Sequence, residues 1–249
     1  ESIGNYSWDT SDSSVNSGYG VNEWSQADLM KLLNPGYESE SVGGSLYWNN
    51  KSGTCYNGKT NATTSCNFTS TGIKDKLKTL ISDAVWNTGA STTNGQIASK
   101  FYTEERGTRN GKICSSGNYC TDTVERTTTW TGKVGLMYPS DYGYATSGGS
   151  TTDRATCLNT KLSRWDGSGS VSDCKNNDWL YNSGSIQWTI SPYASPFGAS
   201  SAFFVDSTGD VYIYNSVYPG NGVRPAVYLS SNVGVQSGDG SSSNPFILG

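Results

Sequence analysis

The sequence predicts an α+β fold with several short helices in the first two thirds, an antiparallel sheet at the C-terminal end, and loops stapled by disulfides. Three observations predict it. Apolar residues recur at helical spacing only before residue 166. Strand signals crowd into 186–231. The six cysteines fall in three sequence-local pairs within Gly-, Ser- and Asn-rich text. Helices followed by strands argue against alternating βαβ units. No repeat period is visible and no linker-like stretch cuts the chain, so one domain over 1–249 is expected.

The elements follow in order. Residues 1–23 read as loop with a strand at 5–9. Ser25 caps a helix over 26–33, whose Ala27, Leu29, Met30, Leu32 and Leu33 form an apolar stripe that Asn34-Pro35-Gly36 ends. Residues 43–51 carry Leu46, Tyr47 and Trp48 as a brief strand or an aromatic plug, and Asn57-Gly58 marks a turn at the tip of the first cysteine loop. Ile73, Leu77, Leu80, Ile81, Ala84 and Val85 predict a helix over 72–86, and Ile97, Ala98, Phe101 and Tyr102 another over 95–105. Residues 127–130 and 132–139 read as two arms of sheet meeting at a glycine. Pro139-Ser140-Asp141 starts a helical turn, and 153–165 reads as a fourth helix. In the final third, 202–205 and 211–214 flank Asp206-Ser207-Thr208-Gly209-Asp210, a hairpin turn with Gly209 set for positive φ. Alternation in the second arm puts Val211 and Ile213 on one face and Tyr212 and Tyr214 on the other. Residues 223–229 form a last strand, with Pro225 marking an edge or bulge.

Composition narrows the class. Hydrophobic residues make up 34% and charged residues 15%, both low, while 30 glycines, 16 tyrosines and 8 tryptophans point to turns and aromatic packing, as in a secreted β-rich protein. A net charge of -4, with 17 scattered Lys and Arg, gives no basic footprint and argues against a nucleic-acid partner. No window approaches a membrane span of about 20 apolar residues, so a membrane enters only through a segment absent from this chain. A start at Glu1 reads as a processed ectodomain whose export signal or anchor has been removed.

Sequential pairing of the cysteines would join Cys55 to Cys66, Cys114 to Cys120 and Cys157 to Cys174, implying an oxidising, extracellular setting. The alternative is metal thiolates, but no Cys-x-x-Cys occurs and histidine is absent.

Three segments together resemble a group of uncharacterised bacterial cell-surface proteins: Val134-Gly135-Leu136-Met137-Tyr138-Pro139-Ser140-Asp141-Tyr142, Gln187-Trp188-Thr189-Ile190-Ser191-Pro192, and Gly222-Val223-Arg224-Pro225-Ala226-Val227-Tyr228-Leu229. In that group the same succession closes a pilin-like or exported ectodomain whose last part looks like the C-type-lectin-like fold, in its formylglycine-generating-enzyme variety. The helix text around Asn22-Glu23-Trp24-Ser25 is also similar to the one that precedes those motifs. The resemblance implies a lectin-like core strongest at 130–249. Between its Trp strand, containing Trp188, and its Arg strand, it implies an exposed ligand face of Tyr193, Phe197, Tyr212, Tyr214, Asn215, Tyr218 and Asn221. Tyrosine offers large contact area at low entropic cost, while ordinary cross-strand aromatic pairing accounts equally for Tyr212 and Tyr214.

The absence of histidine removes Ser-His-Asp and Cys-His catalysis. Formylglycine generation relies on a cysteine pair near the C-terminal sheet, and no cysteine lies beyond Cys174, so that activity is not carried over. A glycosidase needs two carboxyl groups, for which Glu104, Glu105, Asp141, Asp206 and Asp210 are candidates, with a solvated helix end as the simpler account of Glu104 and Glu105. No cofactor is expected. Calcium at Asp206 and Asp210 is the alternative to plain turn formation. Arg224 is the one charge inside an apolar strand and needs a partner if buried, which we assign to Asp141. The expected function is non-enzymatic: an adhesin-like, surface-displayed domain that binds a glycan or protein. The alternatives are a pilin-like subunit contacting its neighbours in a filament, and a carbohydrate-active enzyme.

Overall fold

The computed structural model describes residues 1–11, 18–111, 124–166, 173–194, 200–214, 216–241 and 243–249. The first half contributes β1 (Asn5–Tyr6), α1 (Asp28–Leu33), β2 (Ser52–Tyr56), β3 (Thr63–Asn67), α2 (Asp75–Lys78), β4 (Ala84–Asn87) and α3 (Ala98–Glu105). Next come β5 (Thr129–Gly132), β6 (Val134–Leu136), α4 (Pro139–Ala145) and α5 (Arg154–Leu158). The closing strands are β7 (Gln187–Pro192), β8 (Ala202–Val205), β9 (Val211–Tyr214), β10 (Asn221–Gly222), β11 (Pro225–Val227), β12 (Val235–Ser237) and β13 (Ile247–Leu248). The fold is mixed α+β with short helices and several small sheets.

The central sheet runs β1-β10-β7-β8-β9. β1 is antiparallel to β10, β10 parallel to β7, and the rest antiparallel. The predicted hairpin is present in register from Ala202↔Tyr214 to Val205↔Val211, and Gly209 turns it at φ 97°. Period-two alternation along β8 sends Ala202 and Phe204 to one side and Phe203 and Val205 to the other. Both sides are covered. On the first, Trp188, Ile190 and Phe204 meet Trp8, Trp24 and the apolar stripe of α1. On the second, Phe203, Val205 and Val211 meet Phe101, Tyr142, Leu162 and Trp165. The sheet is a buried partition between two cores, not a wall with an open face.

Non-local pairing overrides local propensity at several points. The helix expected over 72–86 survives only as α2. Ile81 instead bridges Leu229, and 84–87 becomes β4, where Val85 is exposed and Trp86 buried opposite Trp130 of β5. Apolar spacing fits either period over so short a window, and pairing with β5 selects the strand. The arms expected to meet at a glycine part company: β5 joins β4, and β6 joins β11. Gly135 of β6 lies under the Trp86 ring, where an added Cβ would come within 2.6 Å of it. The fourth helix is cut to α5 and a single 3-10 turn over Leu162–Arg164. Residues 43–51 form turns whose Tyr47 and Trp48 plug the core.

Two disulfides are present. Cys55–Cys66 crosses the β2–β3 hairpin, and Cys157–Cys174 ties α5 to the segment before β7. Cys114 and Cys120 lie outside the described residues. Among the described residues no helix is long and apolar enough to cross a membrane.

Candidate functional site

The described residues of the expected ligand face are not gathered on one surface. Tyr193 packs edge-on to Phe203, 5.6 Å between centroids, on the side of the second core. Tyr214 lies across the sheet from it, 4.4 Å from Phe204 and 5.9 Å from Trp188. Asn221 is 6% exposed, its backbone paired between β1 and β7. Tyr218 is half-buried against Tyr19, and only Tyr212, 49% exposed, stands well out from the sheet. Phe197 and Asn215 fall outside the described residues. The physical reason is the covering of both sheet faces: alternation still sorts the rings, but Tyr214 meets one core and Tyr193 the other, and Tyr212 alone of the three stays outside both. Trp188 is wholly buried and donates its indole N–H to the Tyr6 carbonyl at 3.1 Å.

A more open aromatic site lies beside this sheet. Pro139 starts α4, and Asp141 caps it: its Oδ2 accepts the Tyr138 N–H at 3.0 Å. Asp141, Tyr144 and Ala145 then fall on one helical face. Thr146, just past α4, bridges Asp178, and the Asp178 carboxylate accepts the Leu180 N–H at 2.8 Å. That tight turn leaves Trp179 73% exposed. Met137, just past β6, and Ala226, at the middle of β11, bring in the β6–β11 pair. These residues enclose a groove of about 380 Å³ lined by Met137, Asp141, Tyr144, Ala145, Trp179, Leu180 and Ala226. Tyr144 meets Tyr102 edge-on at 6.4 Å, and the Arg106 guanidinium stacks 3.6 Å above Tyr102, so the aromatic surface continues onto α3.

Three carboxyl groups surround the groove, each held above the ordinary carboxylate range by burial. Asp141 keeps enough open surface to line the groove, yet the protein packed around it raises its pKa against the opposing Tyr138 N–H and Arg106. Glu105, 1% exposed at the end of α3, is pushed up to about 7 although the Ser140 hydroxyl and N–H both donate to it. It is therefore a buried anchor for α4 and not the solvated helix end expected from the sequence. Burial raises Asp178 to about 7, opposed by the Leu180 and Tyr181 N–H groups and by Arg224.

Arg224 and Asp141 form no ion pair. Arg224 donates to the Leu180 carbonyl at 2.6 Å and to Gln187 Oε1 at 3.4 Å, and the carboxylate that acts on it is Asp178. The reason is topological: the strand expected over 223–229 breaks at Arg224, between β10 in one sheet and β11 in another. The side chain is thereby aimed under the 178–180 turn while Asp141 caps its own helix.

The Asp206 carboxylate accepts from the Thr208 hydroxyl and from the N–H groups of Thr208 and Asp210, so it is occupied in shaping its turn. Among the described residues no group of three or more His, Cys, Asp or Glu is placed to hold a metal ion. For Trp179 the sequence carries a signal of exposure, since Asn176-Asn177-Asp178-Trp179 has no apolar periodicity to call the ring inward; for Tyr144 it carries none, because Tyr142 in the same run is wholly buried. No family model, curated protein or solved structure matches this chain. The groove is therefore read from its own chemistry.

Proposed function

We propose that this chain is an extracellular, surface-displayed binding domain of C-type-lectin-like kind that recognises a glycan or protein ligand, and that its contact site is the Trp179–Tyr144 groove. The observation that carries the reading is a tryptophan, 73% accessible, that lines a concave groove together with an exposed tyrosine and one carboxylate. An exposed indole that also lines a groove is suited to serve as a contact surface. Two disulfides support an oxidising compartment. In favour of the lectin-like architecture, the three segments that carry the resemblance make one unit. β6 pairs with β11, Gly222 pairs with Gln187, and the Ile190 N–H donates to the Met137 carbonyl at 3.1 Å. Binding rather than catalysis fits a groove lined by Asp141 alone among the acids, with Glu105 buried behind it.

A glycan array and a cell-adhesion assay, run on wild type and on Trp179→Ala, test this reading. Binding that disappears in the variant is expected. Adhesion unchanged by Trp179→Ala but lost on Tyr212→Ala plus Tyr218→Ala would return the site to the sheet face and refute the groove.

One observation favours the pilin-like reading as a second proposal. β12 and β13 form a lone hairpin at the C-terminal end with Val235, Phe246 and Ile247 all more than half exposed. Two-stranded hairpins are marginal alone in water, and a neighbouring subunit would cover this one. Sedimentation and electron microscopy of the full chain at high concentration decide it: a dispersed monomer rejects assembly.

A further inference from the structure

Resting on the binding reading above, we infer that the groove accepts a quaternary ammonium group of the choline type, seated between Trp179 and Tyr144 with Asp141 as its counter-charge. The lining argues for it by what it lacks. Of the seven lining side chains the Asp141 carboxylate, the Tyr144 hydroxyl and the Trp179 indole N–H are the polar groups, whereas Met137, Ala145, Leu180 and Ala226 offer no hydrogen bond beyond the weak acceptor of the Met137 thioether. A bare pyranose ring laid into this groove would find few partners for its hydroxyls, so a glycan would be held there through a cationic substituent and not through the ring itself. A primary ammonium would bring three N–H donors to a place with little to accept them. A quaternary ammonium has no donor to satisfy, an apolar outer shell of methyl groups that suits the aliphatic floor, and a spread positive charge that aromatic faces attract.

The charges around the groove agree. Asp141 uses Oδ2 on the Tyr138 N–H, and among the described residues nothing donates a hydrogen bond to its Oδ1. The neighbouring cations have partners of their own. Arg106, whose charge also acts on Asp141, stacks on Tyr102 and donates to Glu105 and to the Tyr102 carbonyl; Arg154 donates to the Tyr144 and Thr146 carbonyls; and Arg224 donates to Leu180 and faces Asp178. The other titratable groups about Asp141 are Glu105 and Tyr228, neither of which brings positive charge. At about 380 Å³ the groove sits at the small end of ligand pockets, about 300–1,000 Å³, suiting a headgroup with a few linking atoms.

The test is titration of choline chloride into the full chain at neutral pH, followed by calorimetry and tryptophan fluorescence. Saturable binding in the millimolar range or tighter is expected. Ethanolamine and the uncharged isostere 3,3-dimethylbutanol should each bind about tenfold more weakly or worse. Both comparisons use wild type, so they stand even if a variant misfolds. Trp179→Ala should abolish binding, and Asp141→Asn, which keeps an acceptor for the Tyr138 N–H, should weaken choline about tenfold without changing 3,3-dimethylbutanol. Phosphocholine and a trimethyllysine peptide, as separate arms, distinguish a polymer substituent from a protein side chain. No saturation by choline, or equal affinity for the neutral isostere, overturns the inference. If choline fails while glycan or cell binding still depends on Trp179, only the ammonium inference falls. If nothing binds through Trp179, the reading beneath it falls as well.

Discussion

Glu105→Gln is the most direct probe of how α3 supports the groove. The carboxyl is 1% exposed, and burial lifts its pKa from an ordinary 4.5 to about 7. An acid whose folded pKa lies above its unfolded value holds more protons in the folded state between the two. Its stabilising contribution is therefore complete below about 4.5 and is lost as pH rises through about 7. The gap, about 2.5 on the pH scale at ~1.36 kcal/mol per unit, gives on the order of 3 kcal/mol. Glutamine keeps the local geometry: its oxygen can accept the Ser140 N–H, now 3.0 Å from Oε1, and its amide can donate to the Ser140 hydroxyl. Only the exposed-side contact to Arg106 at 3.3 Å is given up, and such contacts contribute little. Urea unfolding at pH 5 and pH 8, on wild type and variant, reads the effect. Asp178, Asp9 and Asp210 are also raised, to about 7, 6 and 6, so wild type should lose stability toward pH 8 through several groups, and these cancel in the comparison. The variant should lose about 2–3 kcal/mol less than wild type between the two pH values. Parallel pH dependence in the two proteins would refute the placement of Glu105 as a buried, proton-holding anchor.

Other outcomes follow from the same geometry. Trp179→Ala, at a 73% exposed ring, should change unfolding free energy by less than about 0.5 kcal/mol. Trp188→Ala, which removes a wholly buried ring packed on Phe204 and Tyr214, should cost about 3–5 kcal/mol. Similar losses at both sites would contradict the contrast between surface and core. Replacing Cys157 and Cys174 by serine opens a loop with a sequence separation of 17 and should lower stability by about 3 kcal/mol in chemical denaturation. An unshifted midpoint would show the bridge to be dispensable. Deleting residues 233–249 removes the exposed β12–β13 hairpin and should leave the urea midpoint of the remainder unchanged. A clear drop in that midpoint would mean that the hairpin braces the domain.

Elements fixed by short-range patterns were legible in the sequence: α1 with its Asn34-Pro35-Gly36 stop, α3, the β8–β9 hairpin with Gly209 at its turn, and two of the cysteine pairs, each closing a local loop. The helix over 72–86 misled because a strand at β4 draws its reason from β5, more than forty residues away, and no local pattern encodes that partner. The Arg224 partner misled for the same reason. An unpaired charge in an apolar run demands compensation, but which groups supply it depends on where the chain changes sheets.

The candidate site divides along the same line. That the chain is rich in tyrosine and tryptophan, side chains suited both to packing and to contact, is a matter of composition and is read from the sequence alone. Which rings face water is not, because alternation along a strand specifies only that successive side chains take opposite sides. Whether a side is open depends on what is packed there. Here Phe101, Tyr142 and Trp165 close one face of the sheet, Trp8 and Trp24 close the other, and Trp179 is left standing at the rim by a two-residue turn.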